Sequence, residues 1–290
     1  MKTTVDTKIH FQNNMQQATV KHPQIGSAAW GWRELEVPEY FRCVTHLGLK
    51  LVEVNAHSQT PKHLLNTFSE EAVEKVAHWA EEADVKIVCL AADNDFTLIN
   101  ESDLEAEIEK VRRFVDMAER LGTKLIRIFS GGDKVEYVPP EMFTQLHYAF
   151  NCVGDYAEDR GIELAIENHG GVTATGQRML HLMEGIKSPA VGVNYDPANF
   201  LMAGGDPLMA LRKILPWVKY THWKDVRWEN GKAEYCALGE GEMVCQPIVK
   251  ELLKANYEGY WVIEYEESED VQRGTQDSVT YLKQVFQEVT

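Results

Sequence analysis

Four residues stand out by type and place. Glu167, Asp196, His222 and Glu264 each close, or directly follow, a short apolar run: Ile-Glu-Leu-Ala-Ile, Val-Gly-Val-Asn-Tyr, Val-Lys-Tyr-Thr and Tyr-Trp-Val-Ile. Three carboxylates and an imidazole gathered at one point repel one another unless a cation compensates them. Such an oxygen-rich set with one nitrogen suits a single divalent ion, Mn²⁺, Mg²⁺, Co²⁺ or Zn²⁺. A Lewis acid beside two glutamates is equipment for moving a proton next to a carbonyl, because polarising the carbonyl acidifies the neighbouring C–H.

Bringing the four together requires that their runs lie side by side and end on one face. The chain repeats one rhythm: an apolar, β-branched run, a polar or Gly-containing turn, and an amphipathic stretch. The runs cover 25–30, 49–55, 86–91, 124–129, 162–167, 190–195, 218–222 and 260–264. Continuous rather than alternating apolar runs suit parallel strands buried on both faces. Eight such units predict a (β/α)₈ TIM barrel, whose active site lies at the C-terminal ends of the strands. Between the runs, apolar spacing predicts helices over 69–83, 102–121 (with Gly122 as its stop), 139–159 and 278–288. No GxGxxG follows the first run, which removes the signature of a doubly wound nucleotide-binding sheet. No linker-like segment divides the chain, so residues 23–290 read as a single barrel domain behind an N-terminal extension over 1–22.

Composition narrows the partners. Net charge is −16 over 290 residues, with a pI of about 5.1. That balance opposes contact with a nucleic-acid backbone and with an anionic membrane surface. The cysteines are five, no pair forms a CxxC, and no apolar signal core opens the chain. A reducing, cytoplasmic setting is therefore expected. Trp223, Trp228 and Tyr235, read as exposed loop aromatics, permit a dimer or tetramer.

The motifs around the four residues resemble those of the sugar phosphate isomerase/epimerase superfamily. They are Glu167-Asn168-His169, Asn194-Tyr195-Asp196-Pro-Ala-Asn199, His222-Trp-Lys-Asp225-Val-Arg227, Gly239-Glu-Gly241 and Val-Ile-Glu264. That group has xylose isomerase-like barrels and includes ketose 3-epimerases, inosose isomerases and dehydratases, and AP endonucleases. The resemblance spans about residue 24 to the end and is most specific in the second half. It implies that Glu167, Asp196, His222 and Glu264 hold one divalent ion, and that Glu167 and Glu264 exchange a proton with a keto sugar or cyclic polyol through a metal-held enediolate. A dehydratase would use the same base and then expel a β-hydroxyl. Two departures matter. The epimerases and the AP endonucleases carry a His where this chain has Asn199, and no Asp-x-His lies between His222 and Glu264. A three-metal phosphodiesterase centre is therefore disfavoured, and so is a vestigial sugar-binding barrel, which has no need of mutually repelling carboxylates.

Further substrate contacts are expected from His169, Asn199, Lys224, Asp225 and Arg227, from His57 after the second run, and from Trp30 after the first. Trp32, Phe96 and Phe129 are weaker candidates for aromatic walls against sugar C–H faces. Gly131-Gly132 and Gly170-Gly171 read as turns that let loops approach the site.

Overall fold

The computed structural model describes residues 23–63, 68–132 and 137–290. The expected extension over 1–22 lies outside the described residues. In chain order the elements are β1 (Gln24–Ser27), α1 (Val37–His46), β2 (Leu51–Ala56), α2 (Glu70–Glu82), β3 (Lys86–Ala92), α3 (Glu101–Leu121), β4 (Leu125–Ile128), α4 (Pro140–Glu158), β5 (Glu163–Glu167), α5 (Gly176–Gly185), β6 (Val191–Tyr195), α6 (Pro197–Met202), α7 (Pro207–Ile214), β7 (Val218–Trp223), β8 (Asp225–Glu229), β9 (Lys232–Cys236), α8 (Cys245–Lys254), β10 (Tyr260–Ile263) and α9 (Val271–Val289).

β1 to β7 and β10 close into a parallel barrel in the order β1-β10-β7-β6-β5-β4-β3-β2. All eight apolar runs are its strands, as the rhythm predicts. Helix boundaries follow local capping. The Ser69 side chain accepts from the Ala72 N–H to start α2, and Asn100 accepts from the Ser102 N–H to start α3. Gly122 stops α3 with φ at +71°, where a side chain would be strained. The last helix is longer than 278–288, because Val271, Gly274 and Thr275 are also buried in the first turns of α9.

Residues two apart on a strand share a face. Inside the barrel, Cys89, Leu125, Ala165, Tyr220 and Val262 form one apolar cluster. Two residues further along their strands come Ala91, Arg127, Glu167, His222 and Glu264. The pleat that places the first set in the barrel interior thus lifts the second set to its rim. The alternate residues face outward into the larger core between strands and helices, where Trp223 stacks on Trp261 at 5.4 Å. Trp223 is completely buried, so it cannot serve as the exposed docking aromatic expected of it. Trp228 is exposed, and Tyr235 faces the barrel mouth.

The segment after β7, expected as a loop, is an antiparallel hairpin, β8–β9. Its turn is Asn230-Gly231, both at positive φ (51° and 77°), the backbone that a two-residue hairpin turn matched to strand twist requires. Among the described residues no helix is long and apolar enough to cross a membrane. Cys43, Cys89, Cys152, Cys236 and Cys245 are all free thiols.

Candidate metal centre and active-site cavity

The rim carboxylates converge. Glu167 ends β5, Asp196 follows β6 as the N-cap of α6, His222 lies near the end of β7, and Glu264 follows β10. Each offers one ligand atom, and these atoms all lie within 4.8 Å of one another, fully buried. Asp196 is held by its own helix: Oδ1 accepts from the N–H groups of Ala198 and Asn199 at 2.9 and 3.3 Å. Its backbone is clamped by Asn168, whose Nδ2 donates to the Asp196 carbonyl and whose Oδ1 accepts from the Asp196 N–H, each at 2.8 Å. Asp196 Oδ2 is thereby left buried with no hydrogen-bond partner, as is His222 Nδ1.

The His222 ring is oriented from behind. Its Nε2 lies 3.0 Å from Glu53 Oε2, so a neutral ring that keeps its N–H there turns the Nδ1 lone pair to the rim. Nδ1 lies 3.3 Å from Glu264 Oε1 and 3.7 Å from Glu167 Oε1. Glu53 Oε2 also accepts from Tyr220 Oη at 3.2 Å. A carboxylate behind a ligating histidine is the usual means of fixing its tautomer. The residues present therefore fit a divalent ion, on donor chemistry and on two buried ligand atoms that make no hydrogen bond.

Sequence reasoning missed Glu53 and Arg127. Arg127 Nε lies 3.2 Å from Glu167 Oε2, both nearly inaccessible to solvent. The signal was present in both cases, as a charge inside an apolar strand (Leu-Val-Glu-Val and Leu-Ile-Arg-Ile), which is costly unless paired. Glu266 was also missed. It lines the cavity and pairs with Lys224 at 2.7 Å.

Electrostatics follow from burial. Burial and the Glu264 charge push the Glu167 carboxyl up, but His222 and Arg127 outweigh them and hold it down to about 2. Burial raises Asp196 to about 7, against the pull of Lys224. Burial also opposes ionisation of Glu264, yet His222 and Lys224 hold it well below the usual carboxylate range. Glu53, Glu167, Asp196, Glu264 and Glu266 thus surround Arg127, Lys224 and His222. With His222 neutral, five carboxylates face two fixed cations, an excess that a divalent ion offsets.

A cavity of about 410 Å³ opens over this cluster, at the C-terminal ends of the strands. The structure brings Trp30, His57, His169 and Lys224 to its wall. Lys224 reaches Glu264 at 2.8 Å and Asp196 at 3.1 Å. Asn199 lies beside the cluster, where its Nδ2 donates to Glu167 Oε1 at 3.1 Å. Two expected contacts are not brought there. Arg227 sits on β8 with its side chain 49% exposed, paired to Glu229 at 3.1 Å. Asp225 is buried and accepts four backbone N–H groups, from Val226, Gly239, Gly241 and Met243. It ties the hairpin to the following loop, because a carboxylate with two oxygens can satisfy several converging amides. Of the aromatic candidates, Phe129 lines the cavity, whereas Trp32 and Phe96 are core. Gly131 also lines it at φ +85°, where a Cβ would meet Asp95 Oδ1 at 1.7 Å.

The chain belongs to the xylose isomerase-like TIM barrel family, which matches it over residues 41–285. It is similar to an inosose dehydratase of Bacillus anthracis (strain CDC 684 / NRRL 3495), 22% identical over 201 residues, which are 59% of this chain and 67% of that protein. Among solved structures, a D-tagatose 3-epimerase-like protein superposes with a TM-score of 0.75 at 18% identity, covering 92% of this chain and 100% of that one. A xylose isomerase-like TIM barrel protein from Mycobacterium smegmatis, in complex with magnesium, gives 0.75 at 16% identity, covering 92% and 98%. These structural likenesses show the fold.

Proposed function

We propose that the protein is a divalent-metal-dependent enzyme that shifts a proton beside the carbonyl of a keto sugar or cyclic polyol, as an isomerase or epimerase, with Glu167 and Glu264 as the proton-carrying pair. The observation that carries the reading is the convergence of Glu167, Asp196, His222 and Glu264, with one ligand atom from each within 4.8 Å of the others and with Asp196 Oδ2 and His222 Nδ1 buried without a hydrogen bond. These four residues would hold the ion, which when bound supplies Lewis-acid polarisation of the substrate carbonyl. A ligating His222 is neutral, and the ion's own positive charge would take the place of the imidazolium in keeping Glu167 ionised. Arg127 keeps that carboxylate in place through its 3.2 Å contact, and Asn199 holds the other oxygen. The substrate class is supported by the small polar cavity with aromatic walls and by the names of the relatives, dehydratase and epimerase.

A second reading is a dehydratase on the same base. It is favoured by the sequence relative and by two further donors on the wall, His169 and Lys224, either of which can protonate a departing hydroxyl. We place the enzyme in the cytoplasm on its free thiols, and the −16 charge supports a small-molecule rather than a nucleic-acid partner. The deciding test is proton exchange in D₂O with ketoses and 2-keto-inositols. Glu167→Gln and Glu264→Gln should each lower the rate by about 10²–10⁴ while the far-UV spectrum is kept. Two fully active variants would remove the proposed pair. A new conjugated-carbonyl absorbance, in place of an epimeric ketose, would select the dehydratase.

A further inference from the structure

We infer that His57 and Asp93 form a hydroxyl-binding subsite on the β2–β3 side of the cavity, which orients the substrate against the carboxylates of β5 and β10. This rests on the reading that the cavity takes a keto sugar or cyclic polyol. His57 follows β2 and Asp93 follows β3, and both line the cavity. His57 Nδ1 accepts the backbone N–H of Gln59 at 3.0 Å. That bond fixes the tautomer, since an accepting Nδ1 carries a lone pair and a neutral ring then holds its proton on Nε2. Burial lowers the ring's pKa and keeps it neutral. Trp30 packs edge-on against it at 5.4 Å.

The Nε2–H faces Asp93 Oδ1 at 3.6 Å, too far for a hydrogen bond. The other carboxylate oxygen, Oδ2, accepts from Ser58 Oγ at 3.0 Å, which holds the Asp93 side chain. A donor and an acceptor are therefore fixed side by side without being joined. Their solvent exposure, 14% and 30%, leaves them reachable from the cavity. The neighbouring polar groups are already used. Asn94 donates to the Phe129 carbonyl and accepts its N–H, and Asp95 Oδ1 accepts from the Thr97 N–H and hydroxyl.

A hydroxyl donates and accepts at once, so one sugar hydroxyl can take the Nε2–H and give its own proton to Oδ1. A ketone oxygen satisfies half of the pair and a CH₂ satisfies neither. A phosphate would meet the Asp93 charge. The subsite therefore selects an unphosphorylated substrate with a free hydroxyl at that end, and presents its carbonyl to the far wall.

The test is calorimetric titration of Mn²⁺-loaded protein with D-fructose, a 2-keto-inositol and the monodeoxy analogues of each. Wild type should bind one monodeoxy analogue about tenfold or more weaker than its parent. His57→Leu should bind parent and analogue alike while remaining folded by far-UV circular dichroism. His57→Gln, which can place an amide N–H near the Nε2 position, should recover part of the discrimination. An identical affinity ratio in wild type and His57→Leu for every analogue would overturn the subsite alone. A wild-type protein that binds none of the parents would overturn the sugar reading and the subsite with it.

Discussion

Glu53→Gln tests the metal centre without touching a ligand. Glu53 is fully buried at the back of the His222 ring, and its Oε2 accepts from His222 Nε2 at 3.0 Å and from Tyr220 Oη at 3.2 Å. The glutamine has the same shape and one amide oxygen that can still accept. What it removes is the charge that makes the imidazole a stronger base and locks the proton on Nε2. Loss of such a second-layer carboxylate typically weakens metal binding 10- to 100-fold, which is about 1.4–2.8 kcal/mol. The larger end is expected here, because nothing solvates the lost charge at 0% exposure. Titration of metal-free protein with Mn²⁺, followed calorimetrically, reads the change directly. Glu53→Ala should be worse, since it also leaves Tyr220 Oη and His222 Nε2 buried without an acceptor. A folded Glu53→Gln protein with wild-type Mn²⁺ affinity would refute the argument that Glu53 orients His222 and that Nδ1 is the ligand atom.

Metal removal and other substitutions give further checks. Mn²⁺ at 100 times its Kd should stabilise the fold by about 2.7 kcal/mol and raise Tm by roughly 4 °C, with the gain lost in His222→Ala; equal melting with Mn²⁺ and with EDTA would refute the site. Asp225→Asn should destabilise by about 2–3 kcal/mol in urea unfolding, because the amide cannot accept from Val226, Gly239, Gly241 and Met243 together. Unchanged stability with weakened substrate binding would instead return Asp225 to a direct substrate role. His63 is buried, and burial lowers its ring from 6.5 to about 4. The native ring then binds protons less readily than the unfolded one, so this stability is complete above pH 6.5 and falls as pH drops toward 4. At pH 5 the loss is about 2 kcal/mol, and His63→Gln should show a flatter stability profile from pH 7 to 5. Parallel profiles would refute it.

What the sequence determined by itself was periodicity and punctuation. Eight apolar runs, each followed by a helix, specify parallel strands buried on both faces, and closure into a barrel follows from their number and connection. Because every barrel strand delivers its last residue to one rim, Glu167, Asp196, His222 and Glu264 could be grouped without coordinates. The β8–β9 hairpin was also written locally, in Asn230-Gly231, though it reads as a loop when only apolar runs are followed. Tertiary structure decided the rest, because strand-end position says nothing about reach or partner. Arg227 and Lys224 are three residues apart on similar ground, yet the hairpin turns Arg227 out to Glu229 while Lys224 points in to Asp196, Glu264 and Glu266. Asp225, between them, spends its oxygens on four amides, three brought from 14 to 18 residues away and one from its neighbour. Glu53 and Arg127 come from strands far along the chain from their partners, and a charge in an apolar run announces only that a partner must exist. Which partner it meets is set by the pleat and by strand order around the closed barrel, where residues 167 to 169 apart in sequence, Glu53 with Tyr220 and His222, lie within hydrogen-bond distance.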